Sequence, residues 1–233
     1  MIDMIAFDAD DTLWHNEPLY VDANRKLQDL LVGYASGETI RQKLDQIEED
    51  NFKIYGYGIK SFALSMIQTA VELSIGKISG DEVNKIIDIA KDMLLAEVVL
   101  LEGVVETIEV LANSYPLMII TKGDIVDQES KIDRSGIGGY FHQIEIVGEK
   151  VQETYTELLS KYGIPPERFL MVGNSLRSDI LPVVALGGLT AYIPYELTWQ
   201  REMVHENEKV DEGYYELESI HQLPRLLARL KSE

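Results

Sequence analysis

The chain has 233 residues, of which 45% are hydrophobic and 26% are charged, a composition typical of a globular protein with one large core or two smaller ones. Its formal net charge of −19 argues against nucleic acids and anionic membrane surfaces as partners. The absence of cysteine excludes disulfides and thiolate metal sites, and the lack of a signal sequence or a long apolar run predicts a cytoplasmic protein without membrane spans.

The first predicted element is a short buried strand at Met4 to Phe7, and it stops at a cluster of acidic residues. Asp8 and Asp10 point the same way in an extended backbone, where two carboxylates roughly 5–6 Å apart repel by about 3 kcal/mol at an effective dielectric near 20. A hard divalent cation such as Mg²⁺ would offset this repulsion. The alternative is a purely structural acidic turn, in which Asp11 or Thr12 caps the next helix.

An all-helical insertion is predicted next, because residues 16–100 contain no strand-like block and show helical spacing of apolar residues. Ser79 and Glu82 form the pattern of a capping box at the start of its last helix. The apolar face of that helix is predicted to consist of Val83, Ile86, Ile87, Ala90 and Leu94. The faces of two earlier helices are predicted from Ile40, Leu44 and Ile47, and from Phe62, Met66, Ile67 and Ala70.

Apolar blocks and helical segments alternate in the rest of the chain. The predicted strands are Pro116 to Thr121, Ile144 to Gly148, Phe169 to Gly173 and Leu189 to Pro194. This alternation predicts an α/β fold with a Rossmann-like parallel sheet and helices on both of its faces. We therefore predict a core domain of residues 1–15 and 101–233, interrupted by a helical cap domain of residues 16–100.

Polar residues follow several of these strands. They are Thr121, Lys122 and Gly123 after the second block, Lys150 after the third, and Asn174 and Asp179 after the fourth. Each of them alone has a structural explanation, such as a turn hydroxyl, a solvated lysine or a helix cap. Because the carboxyl ends of parallel strands meet at one edge of a sheet, their convergence favours a phosphate-handling site there.

In these motifs the chain resembles the haloacid dehalogenase superfamily over nearly its whole length. The family pattern D-x-D-x-T is present as "DADDT" at Asp8 to Thr12, and the second motif as "LMIIT" ending at Thr121. Lys150 fits the third motif and "VGNSLRSD" the fourth. A helical cap between the first and second motifs is typical of one branch of the family. The resemblance thus implies a phosphatase-type hydrolase with a cap domain.

The resemblance also implies roles for individual residues. Asp8 would be the nucleophile that carries an aspartyl-phosphate, and Asp10 would be the general acid and base. Catalytic roles are further implied for Thr121 and Lys150, phosphate or substrate contacts for Thr12, Thr121, Lys122, Gly123 and Lys150, and Mg²⁺ ligation for Asp8, Asp10, Asn174 and Asp179. The expected substrate is a small phosphorylated metabolite, such as a sugar phosphate or nucleotide.

Two departures from the family pattern bear on these roles. Asn174 stands where many members have an acid, which predicts weaker Mg²⁺ binding and a larger share of that task for Asp179. Lys150 is followed by valine rather than by the common proline, so its assignment depends on its position alone.

Other functions stay open at this point. A phosphomutase uses the same two aspartates, a phosphonate hydrolase would need a cap lysine such as Lys60, and dehalogenases lack an acid at the position of Asp10. Asn174 leaves room for a catalytically weak protein that binds phosphorylated ligands. A signalling receiver module would need an acceptor aspartate on a middle strand, which is missing. The sequence indicates neither the natural substrate nor the oligomeric state.

Overall fold

A computed structural model of the chain describes residues 2–197 and 213–231. Two compact units divide these residues. The first contains the chain up to Glu17, Val98–Lys122 and the chain from Ser130 onward, and the second contains Pro18–Glu97 and Gly123–Glu129. The boundaries of the two predicted domains stay a prediction. Residues 1, 198–212, 232 and 233 of the predicted core domain lie outside the described residues.

The described residues form these elements in chain order. The strands are β1 (Met4–Phe7), β2 (Leu117–Lys122), β3 (Gln143–Val147), β4 (Phe169–Gly173), β5 (Leu189–Tyr192) and β6 (Tyr215–Glu216). The α-helices are α1 (Glu17–Leu31), α2 (Gly37–Tyr55), α3 (Ile59–Leu73), α4 (Gly80–Leu95), α5 (Val104–Ala112), α6 (Ile125–Ser135), α7 (Gln152–Tyr162), α8 (Leu181–Val184) and α9 (Leu223–Leu230).

The six strands make one parallel sheet in the order β3-β2-β1-β4-β5-β6. The central strand β1 pairs with β2 on one side and β4 on the other, so that Phe7 lies opposite both Ile119 and Val172. This confirms the predicted parallel α/β fold. Strand β6 was not predicted from the sequence; it has two residues and lies at the edge of the sheet.

Helices cover both faces of the sheet. Successive residues of a strand point to opposite faces, so each strand contributes to two cores. Ile5 and Phe7 belong to a core that includes residues of α5 and α9. Met4 and Ala6 belong to a second core that includes residues of α7 and Val183 of α8. All four residues of β1 are buried, which explains why its sequence is an uninterrupted apolar run.

Helices α1–α4 form the second unit around a core of their own. The predicted faces of α2 and α3 are confirmed for the following residues, which are all buried: Ile40, Leu44, Ile47, Phe62, Met66 and Ala70. Helix α2 begins after a capping serine and α4 after the predicted capping box, in which a serine and a glutamate satisfy each other's backbone N–H groups.

The buried face of α4 differs in part from its prediction. Ile86 and Ala90 are buried as expected, but Ile87 is exposed, and Ile89 and Met93 are buried instead. The buried positions follow steps of three and four residues from Ile86, whereas Ile87 is rotated by about 100° from that stripe.

Glycine residues lie at or near the ends of the helices that follow β3 and β4. Gly163 ends α7 in the left-handed conformation with a φ of 64°. The helix after β4 opens with a π-helical turn at Leu176–Ile180, continues as α8, and is followed by Gly187 with a φ of 82°. Across residues 2–197 and 213–231, no helix combines the length and apolar character needed to cross a bilayer.

Candidate active site

The site is built at the carboxyl end of β1, in the middle of the sheet. Asp8 follows the last residue of the strand, and its backbone N–H donates to the carbonyl oxygen of Val172 on β4 at 2.9 Å. This hydrogen bond extends the β1–β4 ladder by one residue and fixes the direction of the Asp8 side chain. Asp8 is buried, with only 7% of its surface exposed.

Lys150 joins Asp8 to a second buried carboxylate. Its Nζ donates to Asp8 Oδ1 and, at 2.8 Å, to Asp179 Oδ1, and the three residues are all buried. Burial alone would lower the pKa of Lys150, but the carboxylates of Asp179 and Asp8 outweigh it and hold that pKa above its ordinary value. Lys150 is therefore a permanent cation between two aspartates, as its predicted place in the site requires.

The loop after β4 is shaped to hold Asp179. Its Oδ2 accepts a hydrogen bond from the backbone N–H of Ser175 at 3.0 Å, and the Ser175 hydroxyl in turn accepts one from the Ser178 N–H at 3.0 Å. A Cβ atom added to Gly173 would lie 2.3 Å from Asp179 Oδ2. Gly173 therefore ends the strand because only a residue without a side chain lets the carboxylate approach so closely.

Two acceptor oxygens converge on one hydroxyl beside Asp8. Thr12 Oγ1 lies 3.0 Å from Asp8 Oδ2 and 3.2 Å from the side-chain oxygen of Asn174. The hydroxyl has a single proton, so it satisfies one of these oxygens at a time. A carboxylate and an amide oxygen brought together in this way are ligands suited to a hard cation such as Mg²⁺.

The charged side chains by themselves do not form a metal site. In the described residues no group of three or more aspartate, glutamate and histidine side chains has the arrangement of one. Asp179 has a protein donor on each of its oxygens, and the Asp10 side chain is turned to a lysine. A cation would therefore depend on Asp8, Asn174 and backbone oxygen, and ligation by Asp10 and Asp179 stays a prediction.

Asp10 has a separate set of partners. Lys131 Nζ, from α6, donates to both of its oxygens at 2.7 and 2.9 Å, and Trp14 Nε1 donates to Oδ1 at 2.7 Å. Lys131 also donates to the side-chain oxygen of Asn16 at 3.2 Å. Lys131 is not among the predicted site residues, because it is a buried lysine in a helix whose apolar Ile125 is exposed.

Each of the two crowded aspartates thus has its own lysine. Asp8 pairs with Lys150 and Asp10 with Lys131, and both lysines are buried. From the sequence alone, a divalent cation was expected to compensate the repulsion between these two carboxylates. The structure shows that protein ammonium groups contribute to this compensation as well, because an opposite charge in contact favours the ionised carboxylate.

Asp11 has the structural role that the alternative interpretation gave it. It lies at a φ of 62°, and its carboxylate accepts the backbone N–H groups of Asn16 and Glu17, at 2.8 and 3.0 Å for Oδ1, where α1 begins. Burial raises the pKa of Asp11 to about 7, against the effect of those N–H donors. Burial, followed by the nearby Asp11 carboxylate, likewise raises the pKa of Glu17 to about 7.

Three further predicted residues lie at or directly after the end of β2 in the chain. Thr121 is buried at the end of the strand, and Lys122 Nζ donates to the Ser178 hydroxyl at 2.9 Å, which connects β2 to the loop after β4. Gly123 has a φ of 140° and belongs to the second unit. Lys60, also in that unit, forms an ion pair with Asp124 at 2.8 Å.

Comparison with known proteins agrees with this geometry. Residues 2–187 match the family model described as haloacid dehalogenase-like hydrolase. A haloacid dehalogenase-like family hydrolase from Xanthomonas campestris has a solved structure with a TM-score of 0.89 and 37% sequence identity, and the alignment covers 99% of this chain and 92% of that one.

Two curated relatives are similar at lower coverage or identity. A glyceraldehyde 3-phosphate phosphatase from Methanothermobacter thermautotrophicus is 32% identical over 106 residues, 43% of this chain and 47% of that enzyme, so the match spans about half of its length. An enzyme of the same name from Methanopyrus kandleri is 26% identical over 204 residues, 83% of this chain and 84% of that enzyme.

Proposed function

Because the chain belongs to the haloacid dehalogenase-like hydrolase family, we propose that it is a Mg²⁺-dependent phosphatase that hydrolyses a small phosphate monoester through an aspartyl-phosphate. The observation that carries the proposal is the buried Lys150, which bridges Asp8 and Asp179 at the carboxyl end of the central strand. The phosphatase names of two curated relatives support the choice of phosphate esters over carbon–halogen substrates.

The first step transfers the phosphoryl group to the protein. An oxygen of Asp8 attacks phosphorus, and the ester bond to the leaving alcohol breaks as the Asp8–phosphorus bond forms. The leaving oxygen takes a proton from Asp10, so that an alcohol is released rather than an alkoxide. Asp10 has to enter this step protonated, against the effect of Lys131, which favours its ionised form. Lys150 holds Asp8 in place and, with Thr121, supplies donors for the phosphoryl oxygens, whose charge must be stabilised throughout the transfer.

The second step restores Asp8. Water attacks phosphorus, Asp10 accepts the proton that the water loses, and the bond between phosphorus and the Asp8 oxygen breaks to release phosphate. General acid and base action supplies typically about 10²- to 10⁴-fold, whereas phosphate monoesters can need accelerations approaching ~10²¹-fold. Most of the rate enhancement therefore has to come from positioning and from the cationic surroundings of the phosphoryl group.

The residues beside Asp8 suit a hard cation. Asp8 Oδ2, the Asn174 side-chain oxygen and the backbone carbonyl of Asp10 would hold Mg²⁺, with Asp179 as a further candidate ligand. When bound, Mg²⁺ supplies positive charge that neutralises the phosphoryl oxygens. A neutral amide at position 174 contributes one negative charge fewer than an acid, so we expect a weak affinity for the ion.

The proposal is tested by phosphate release from p-nitrophenyl phosphate with and without Mg²⁺, followed by a panel of phosphorylated sugars and nucleotides. We expect turnover that requires Mg²⁺, stops on chelation, and gives free phosphate and alcohol in equal amounts. A folded protein that binds these esters without releasing phosphate would be a binding protein, and one that moves the phosphoryl group between hydroxyls of one sugar would be a mutase; either result would overturn the proposal.

A further inference from the structure

Lys131 is a buried cation that the proposed reaction leaves without a role. Its side chain is 8% exposed, and its Nζ lies 2.7 and 2.9 Å from the two oxygens of Asp10. Taking an ammonium group out of water costs several kcal/mol unless a charge of opposite sign accompanies it. The contact with the Asp10 carboxylate offsets part of this cost, and Asp10 is the residue to which the proposed function assigns proton transfer.

The Asp10 carboxylate is held from a second direction as well. Trp14 Nε1 donates to Oδ1 at 2.7 Å, and the indole is itself fixed by burial, with 1% of its surface exposed. Asn16 accepts a hydrogen bond from Lys131 at 3.2 Å and so restrains the ammonium group. Both oxygens of Asp10 therefore have donors whose positions are set by packed residues, which leaves the side chain little rotational freedom.

We propose that Lys131 is a positioning residue that holds the Asp10 carboxyl group in the orientation needed for proton transfer to the leaving group. The inference rests on the proposed function, because that function supplies the proton transfer. A positioning role of Lys131 and a purely structural ion pair have different consequences for the reaction rate. A catalytic group that is misplaced by about 1 Å can lose ~10²-fold in rate, while substrate affinity stays the same.

Substrates whose leaving groups differ in their need for a proton distinguish a positioning role of Lys131 from a purely structural one. A p-nitrophenolate leaves readily as an anion, a phenolate leaves less readily, and a benzyl alkoxide needs a proton as its bond to phosphorus breaks. The three phosphate esters contain the same ring and differ little in size. The ratio kcat/KM reports the steps up to transfer of the phosphoryl group, so it isolates the step in which Asp10 gives up its proton.

The experiment compares the three esters in the unmodified protein and in Lys131→Met with saturating Mg²⁺. We expect kcat/KM for benzyl phosphate to fall about 100-fold and that for p-nitrophenyl phosphate to fall less than about 10-fold, with phenyl phosphate between them and little change in KM. Lys131→Arg keeps a charge and N–H donors and should recover most of the loss.

Two further variants make the experiment specific. Trp14→Phe removes the other donor to Asp10 and should give the same order of losses, so it decides the question if Lys131→Met fails to fold by circular dichroism. Lys161→Met is the matched control, because Lys161 is 58% exposed and pairs with Glu145 at 2.6 Å on the surface of the same unit. We expect its activity to equal that of the unmodified protein.

The outcomes distinguish the two proposals. If the unmodified protein hydrolyses none of the three esters, the proposed function is wrong, and the role of Lys131 is wrong with it. If the unmodified protein is active and Lys131→Met loses the same factor on all three esters, loses only affinity, or loses nothing, the positioning role alone is overturned. Equal losses across the esters in Trp14→Phe would overturn it as well.

Discussion

The ion pairs at the sheet edge and those on the helices of the second unit use the same side chains in opposite surroundings. Lys150 and Asp179 are each 1% exposed, whereas Lys91 and Asp88 of α4 are 62% and 65% exposed. A buried pair cannot exchange its partner for water, so the loss of one member leaves an uncompensated charge. An exposed pair is replaced by hydration at almost no cost.

This contrast shows how the molecule tolerates a formal net charge of −19. On the helices the acidic groups lie in water, where screening by salt keeps their repulsion small. At the carboxyl end of β1 the carboxylates are shielded from water, and each has a lysine partner instead. Lys150 pairs with Asp8, and Lys131 pairs with Asp10. Water and salt weaken the repulsion on the helices, whereas individual lysines offset it at the carboxyl end of β1.

The largest expected effect is that of Asp8→Asn. We expect no measurable turnover of p-nitrophenyl phosphate, because an amide cannot serve as the nucleophile. The fold should persist, because Lys150 keeps its pair with Asp179. Phosphate release and circular dichroism measure the two quantities, with Asp133→Asn on the exposed side of α6 as the control. Turnover at the unmodified rate would refute the assignment of the nucleophile.

Lys150→Met tests the buried half of the contrast directly. Removing the ammonium group leaves Asp8 and Asp179 facing each other without a cation, and we expect the free energy of unfolding to fall by about 3–5 kcal/mol. Urea unfolding in the absence of Mg²⁺ measures this change. The double variant Asp8→Asn, Lys150→Met should be more stable than Lys150→Met alone, because one of the two unpaired charges is gone. An unfolding curve of Lys150→Met that coincides with that of the unmodified protein would contradict this expectation.

The fold could be predicted from sequence because its signals are local. The apolar runs of β1, β2 and β4 and the glycine after α7 are each determined by burial or backbone geometry within a few residues. The face of α4 was predicted less well, since Ile86 and Ile87 are equally apolar and only packing decides which of them is buried.

The candidate site could be predicted only in part. Asp8, Thr12, Lys150 and Asn174 lie together, as expected for residues that follow strands of one parallel sheet. Lys131 could not be found in this way, because its position depends on how α6 packs in three dimensions. Ile125 and Val126 at the start of α6 are apolar but exposed, so the distribution of apolar residues does not indicate which face of this helix is buried.

A smaller effect on stability is expected from the titration of Glu17, which is less buried than Lys150 and less exposed than Lys91. Its pKa is raised from 4.5 to about 7, so between those pH values the folded state binds more protons than the unfolded state. Protonation of the Glu17 carboxyl group therefore stabilises the folded state. This stabilisation is complete below about pH 4.5, is lost as the pH rises through 7, and amounts to at most about 3 kcal/mol.

Glu17→Gln removes this titration and should make the pH dependence of stability flatter over the same window. Urea midpoints measured from pH 4.5 to 8 give the comparison. Glu153→Gln, at an exposed position in the first turn of α7, controls for the loss of a negative charge at a helix start. Parallel profiles for Glu17→Gln and the unmodified protein would show that the carboxyl group is not held neutral by burial.

The smallest effect is expected from Lys91→Met, which makes the same chemical change as Lys150→Met in the exposed half of the contrast. Lys91 and Asp88 lie 3.0 Å apart on one turn of α4, but both side chains are mostly in water. The attraction is offset by the conformational entropy that the two side chains lose and is weakened further by salt. We expect the urea midpoint to stay within experimental error at low and at high ionic strength. A loss of stability as large as that of Lys150→Met would mean that distance rather than burial determines the value of an ion pair in this protein.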